Sequence, residues 1–155
     1  MKIELTPVTG NEDKDGLPPM LRALSEFYEA LNNRDIKKME NNWNQSDEAV
    51  MDNPLGGIKR GWDEIKTVYE WLFKSKSKYY FEFYEFSLHV AGELFYVVGR
   101  ERGEFKLGDT TLNMAIRTSR IFRLTNNRWQ QVHHHGSIED PDLLSGYQKA
   151  VRGNT

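Results

Sequence analysis

Residues 133–135 are three consecutive histidines, and Arg120 precedes them on a stretch of alternating apolar and polar residues. An imidazole with an unperturbed pKa of ~6.5 needs little tuning to act as general acid or base near neutrality. A guanidinium among apolar neighbours needs an anionic or carbonyl partner to offset its desolvation. Arg120 therefore predicts either a ligand carboxylate or enolate held by a bidentate contact, or an internal Glu or Asp, or a position at a dimer seam. Asp52 stands near a turn as a third titratable candidate; the plain reading is that an acid before Asn-Pro caps that turn. Two histidines at a two-residue spacing could also ligate zinc. No third ligand can be placed from the sequence, His89 is remote, and no metal is expected.

These residues sit on what reads as a hairpin, Met114 to Ser137, turning at Thr125-Asn126-Asn127, where positive φ angles are cheap. On the first arm Met114, Ile116, Thr118, Arg120, Phe122 and Leu124 share a face. Strict alternation on the second arm puts Trp129, Gln131, His133, His135 and Ser137 on one face. The histidines cannot all reach one site unless a bulge intervenes. His133 and His135 are thus the expected proton-transfer pair, with Asp52 as a further candidate.

The rest of the chain must supply a scaffold. At 155 residues with a formal charge of -2 and interspersed signs, it has the size of one domain and no electrostatic reason to meet nucleic acid or an anionic membrane. No apolar run approaches the ~20 residues that span a bilayer, and the start lacks an apolar signal core, so a cytoplasmic protein is expected. The absence of cysteine removes disulfides, thiol catalysis and thiolate metal sites.

Residues 1–16 read as an N-terminal arm, and 17–155 as a single domain. Leu17, Met20, Leu21, Leu24, Phe27, Tyr28 and Leu31 have helical spacing behind Pro18-Pro19. Asp35 caps a shorter helix carrying Ile36, Met39 and Trp43. A short strand over 49–52 follows, then a loop forced by Asn53-Pro54 and Gly56-Gly57. A third helix presents Trp62, Ile65, Val68, Tyr69, Leu72 and Phe73, ending in the basic run 74–78. The period then becomes strand-like over 79–90, 94–107, 110–124 and 128–137, an antiparallel meander in which Gly99 and Gly103 suit bulges. Asp140-Pro141 opens a last short helix that can close one edge of the sheet. This is an α+β plan: three helices across a strongly curved antiparallel sheet, leaving a cone suited to a small molecule.

The paired first helices with Asp35-Ile36 at their junction, Ala49-Val50-Met51-Asp52-Asn53-Pro54 followed by Gly61, and Trp129 leading into Val132-His133-His134-His135-Gly136-Ser137 together resemble the NTF2-like superfamily, in its SnoaL-like and ketosteroid-isomerase-like branches. The hairpin from Ser119 to Ser137 is also similar to the association domain of calcium/calmodulin-dependent kinases. There the arginine matching Arg120 lines a pocket for small carboxylates, and the arginine after its Val-His-x-His pattern is replaced here by Gly136. The isomerase branch places its base where this chain has Asn53, its substrate-facing tyrosine at Phe27 and its partner acid near Arg117, while Tyr69 matches a supporting tyrosine. A standard ketosteroid isomerase is therefore not expected.

The resulting expectation is a small-molecule-binding protein, read as a cofactor-free proton-transfer enzyme of isomerase, dehydratase, cyclase or hydrolase type acting on a small carboxylate or carbonyl compound. The competing expectation is a non-catalytic binding or association module. Catalytic candidates are His133, His135 and Asp52. Ligand-binding candidates are Arg120, Asn53, Trp43, Tyr69, Tyr28, Arg117 and His134. The second aromatic face of the strand over 79–90, with the resemblance, implies a homodimer through the outer face of the sheet.

Overall fold

The computed structural model describes residues 1–153. Helix α1 (Pro19–Asn32) starts on prolines that need no helical N–H donor. Helix α2 (Ile36–Asn42) is capped by Asp35, whose carboxylate accepts the Lys38 N–H at 3.0 Å. Strands β1 (Val50–Asp52) and β2 (Lys59–Arg60) flank the Asn53-Pro54 loop, and α3 (Gly61–Lys74) follows. Four long strands, β3 (Lys78–Ala91), β4 (Leu94–Leu107), β5 (Thr110–Thr125) and β6 (Arg128–Ser137), precede α4 (Pro141–Arg152). Among the described residues no helix is long and apolar enough to cross a membrane.

The strands form one curved, unclosed six-stranded sheet in the order β2-β1-β6-β5-β4-β3. The expected meander is its larger part, and Asn126 and Asn127 turn its last hairpin at φ 51° and 61°. The sheet is mixed rather than wholly antiparallel. β1 runs parallel to β6, so that Val50, Met51 and Asp52 lie beside His133, His134 and His135. β2 was not legible because two residues carry no alternation.

Three local expectations are corrected. Bulges are absent from β4; the irregularity lies across from it, in β3 between Tyr84 and Ser87, where Glu85 takes φ 49°. Gly99 and Gly103 instead let β3 come close: a Cβ at Gly103 would lie 1.9 Å from the Tyr80 carbonyl oxygen, and one at Gly99 would lie 2.5 Å from Phe86 Cβ. The β3 bulge shifts the phase of the strand, so Phe81, Phe83 and Phe86 all reach the core while Tyr80 is exposed. The basic run after α3 does not simply release the helix into solvent, because the Arg34 guanidinium donates to the carbonyls of Leu72, Phe73 and Ser75 at 3.1–3.3 Å. Lastly, α4 packs over β5 in the middle of the sheet, not over an edge.

The free edge of β3 is met by the N-terminal segment, whose Glu4 and Val8 pair with Phe86 and Phe83. Glu12 pins that segment to α1 by accepting from Ser25 Oγ at 2.7 Å. The core fills the space between α1, α2, α3 and the concave face, with Phe27, Trp43, Ile65, Phe83, Phe95 and Phe122 fully buried.

Candidate functional site

On the concave face, β5 behaves as its alternation predicts, and Met114, Ile116, Thr118, Arg120 and Phe122 are all buried. Arg120 is 2 % exposed and internally paired. Its Nη2 donates to Glu101 Oε1 at 2.6 Å, its Nη1 to Gln131 Oε1 at 2.7 Å, and its Nε reaches the Tyr28 hydroxyl at 3.5 Å. The guanidinium also lies 3.7 Å from the centre of the Phe27 ring, a cation–π distance. Gln131 passes the network on to Asn42 Oδ1 at 3.2 Å, and Asn42 donates to the Ala23 carbonyl at 2.8 Å. The two charges thus offset each other's desolvation, and the arginine has no unmet charge.

Glu101, Gln131 and Asn42 were not singled out from the sequence. A signal existed for Glu101: on β4 it falls in phase with Phe95, Val97, Phe105 and Leu107, so its carboxylate must enter the core beside a buried base.

The second arm departs from strict alternation. Ile121 pairs with His133 and the next residue, Phe122, with Gln131, leaving Val132 as the extra residue of a bulge. One inserted residue reverses the facing of everything after it. Gln131 and His134 therefore both point into the core, and His133, His135 and Ser137 stand on the other face. This corrects the expected grouping of Gln131 with His133 and His135, and it separates the expected catalytic set from Arg120.

His134 is 6 % exposed. Burial pushes its imidazole well below the usual pKa, and the nearby Arg120 charge adds to the shift. The ring is therefore neutral, and its Nδ1 has no hydrogen-bond partner. Burial also raises Tyr28 well above its usual range, and pushes Tyr69 up to about 12, so both phenols remain protonated. Tyr28 donates to the same Glu101 oxygen at 2.6 Å.

These groups border a cavity of about 80 Å³. Phe27 and Leu31 of α1, Val68, Tyr69 and Leu72 of α3, and Tyr147 of α4 give it apolar walls. Asn53, Pro54 and Leu55 stand on one side, and Glu101, Arg120 and His134 form the polar wall. Asn53 holds the loop in a turn through its side-chain oxygen, which accepts the Leu55 N–H at 3.0 Å. Gln148 and Arg152 of α4 donate to the Pro54 and Leu55 carbonyls at 3.1 and 3.0 Å, tying the last helix to that loop. Of the expected ligand-binding residues, Arg120, Asn53, Tyr69 and His134 line this cavity. Tyr28 and Trp43 lie behind the wall as buried core.

Arg117 is on the opposite face, where its Nε donates to Ser137 Oγ at 3.2 Å and lies 3.5 Å from Glu139. The expected proton-transfer set is there too. His135 Nδ1 donates to Asp52 Oδ2 at 2.7 Å, and His133 Nε2 lies 3.8 Å from Asp52 Oδ1 while its Nδ1 donates to the Val50 carbonyl at 3.0 Å. Asp52, His133 and His135 do come together, but across the sheet from the cavity. Among the described residues no cluster of His, Cys, Asp or Glu could hold a metal ion.

This helix-backed sheet has close counterparts. A SnoaL-like domain model matches residues 21–141. The chain belongs to the SnoaL-like family. Solved structures of the NTF2-like fold agree with it: a candidate dehydratase from the NTF2-like family of Streptomyces avermitilis superposes with a TM-score of 0.71 at 17% identity, over 79% of this chain and 95% of that one. The association domain of C. elegans CaMKII gives 0.63 at 17% identity, over 77% and 92%. A candidate calcium/calmodulin-dependent protein kinase type II association domain of Thiobacillus denitrificans gives 0.62 at 20% identity, over 80% and 98%. No curated protein matches the sequence. At these identities the solved structures speak for the fold alone. In this SnoaL-like chain Arg120 lies on the concave face of β5 and its counter-charge, Glu101, comes from β4.

Proposed function

We propose that this SnoaL-like chain binds a small organic molecule in its cone. Arg120, Asn53, Tyr69 and His134 form the contact wall, with Tyr28 and Trp43 as supports behind it. Residues 17–155 act as the binding domain, and residues 1–16 as an arm along its edge. The observation that carries the reading is an apolar cavity ending on polar groups held in fixed orientation by a buried network, the usual build of a small-molecule site. The test is thermal unfolding against a panel of small ketones, amides and carboxylates. A binder at about 100 times its dissociation constant stabilises by ~2.7 kcal/mol. The shift is expected in the wild type and absent in Leu72→Trp, which fills the cavity. A panel without any shift, or a shift that survives the filling, would sink the reading.

A second reading, cofactor-free proton transfer, rests on His134: a neutral imidazole lining the cavity can take a proton α to a carbonyl. It is checked by deuterium exchange into cyclohexanone, which should require His134 and stop in His134→Phe. Exchange at the same rate in both would exclude His134 as the base.

The outer face we assign to contact between two copies of the chain. Tyr80, Tyr96 and Val98 are exposed there, and Asp52, His133, His135 and Arg117 would lie at that seam rather than act on a ligand. Sedimentation equilibrium should show a dimer that Val98→Glu dissociates; a monomeric wild type would remove this assignment.

A further inference from the structure

The polar wall of the cone carries no net charge. Arg120 contributes one positive charge and Glu101 one negative charge at 2.6 Å, with both side chains less than a tenth exposed. His134 is neutral, and the two nearest phenols are protonated. Three of the five Arg120 N–H donors are already engaged, one on Nη2 by Glu101, one on Nη1 by Gln131 and the one on Nε toward Tyr28. A carboxylate arriving here would have to displace Glu101, stranding one buried anion, or lie against a pair that is already neutral and lose its own hydration. An uncharged ligand meets neither penalty.

A further group of the wall is His134. Its imidazole lines the cavity, the ring interacts with the Ser119 backbone, and its Nδ1 is buried without a side-chain partner. Its other nitrogen, Nε2, borders the space over Gly136, where an added Cβ would lie 3.3 Å from it and 3.2 Å from Pro54 Cδ. The absent side chain at Gly136 keeps the approach to the ring open.

We propose that the cone selects an uncharged ligand, an apolar body with one carbonyl, amide or hydroxyl group that meets the His134 imidazole, and that Glu101 is the residue that excludes carboxylates. The inference rests on the reading of the cone as a ligand site and deepens it by fixing the charge of the ligand. Arg120 then serves as the fixed dipole partner of Glu101 and not as an anion anchor. Glu101 acts through Arg120, as a specificity-determining residue.

The experiment compares shape-matched probes, benzamide with benzoate and cinnamamide with cinnamate, by calorimetry and by chemical-shift changes at cavity residues. The wild type is expected to bind the amides at least about tenfold more tightly than the carboxylates, a difference of ~1.4 kcal/mol. Glu101→Gln removes the counter-charge and should invert the order, because the carboxylate can then take the place of the lost one. His134→Phe should weaken the amides. Equal or tighter carboxylate binding by the wild type would overturn the proposal while leaving the cone as a binding site. A folded Glu101→Gln that still prefers amides would overturn the role of Glu101. Failure of every probe to bind would overturn this proposal together with the reading it rests on. Should Glu101→Gln not fold, the wild type still decides: binding of the uncharged acid form makes the apparent benzoate affinity fall about tenfold per pH unit above the acid's own pKa, whereas binding of the anion gives no such fall.

Discussion

On the concave side of β6, His134 is buried and neutral beside an ion pair sealed from water; on the convex side, His133 and His135 share one half-exposed carboxylate, Asp52, on a face that is open to solvent in the single chain. The three residues are identical in type and adjacent in sequence. What separates them is a single extra residue, Val132, and the solvent on either side of the sheet. In the dry environment a charge must be matched by an opposite charge within hydrogen-bond reach, and an imidazole gives up its proton. In the wet one, water screens the charges, as it does for Arg100 between Glu85 and Glu139 at 3.3 Å. A residue type that can do chemistry is thus only a candidate until its face is known.

The largest test of this contrast breaks the inner pair. Arg120→Ala or Glu101→Ala should each cost about 3–5 kcal/mol in urea unfolding, because the surviving partner is left as an uncompensated buried charge. The double replacement Arg120→Met with Glu101→Leu should recover most of that loss. Single variants that unfold like the wild type would mean water reaches the pair.

Next in size is the pH response of His134. Its folded pKa is depressed below the ordinary value of 6.5, so below that value the unfolded chain binds the extra proton first. Its contribution is complete above about pH 6.5 and is lost as pH falls toward the folded pKa, with a slope of up to ~1.4 kcal/mol per pH unit. Stability measured from neutral pH downward should show this decline in the wild type, and His134→Asn should remove it. An unchanged slope in the variant would place the proton uptake elsewhere.

The smallest effect belongs to the outer face. In the dissociated Val98→Glu chain, Asp52→Ala should change stability by less than about 1 kcal/mol, and raised salt should shrink the difference further, as for a partly exposed pair. A cost comparable to that of Arg120→Ala in that background would show that the outer cluster is buried within the chain itself.

Much of the scaffold was legible because its signals are local. The helical spacing from Leu17 to Leu31, the caps at Asp35 and Asp140, and the Asn126-Asn127 turn each act within a few residues, and all appear where the sequence puts them. The buried face of β5 was equally plain, since alternation runs unbroken from Met114 to Phe122. The site was legible only in part. Arg120 stood out as a buried base, but its partner had to come from another strand, and Glu101, Gln131 and Asn42 are far from it in sequence. Asp52 and the histidines were named separately as candidates; the parallel pairing of β1 with β6 that brings them together, and the side of the sheet on which they meet, were not given by residue type.

The sequence by itself determined the order of the helices and long strands, the curved α+β plan and the requirement that Arg120 find a partner, because these follow from periodicity and from the cost of burying charge. Only the tertiary structure decided which partner it found and which histidine joined it. Those outcomes depend on strand register across β4, β5 and β6 and on one bulge at Val132, and a one-residue shift in a strand exchanges its faces with little change in the local pattern.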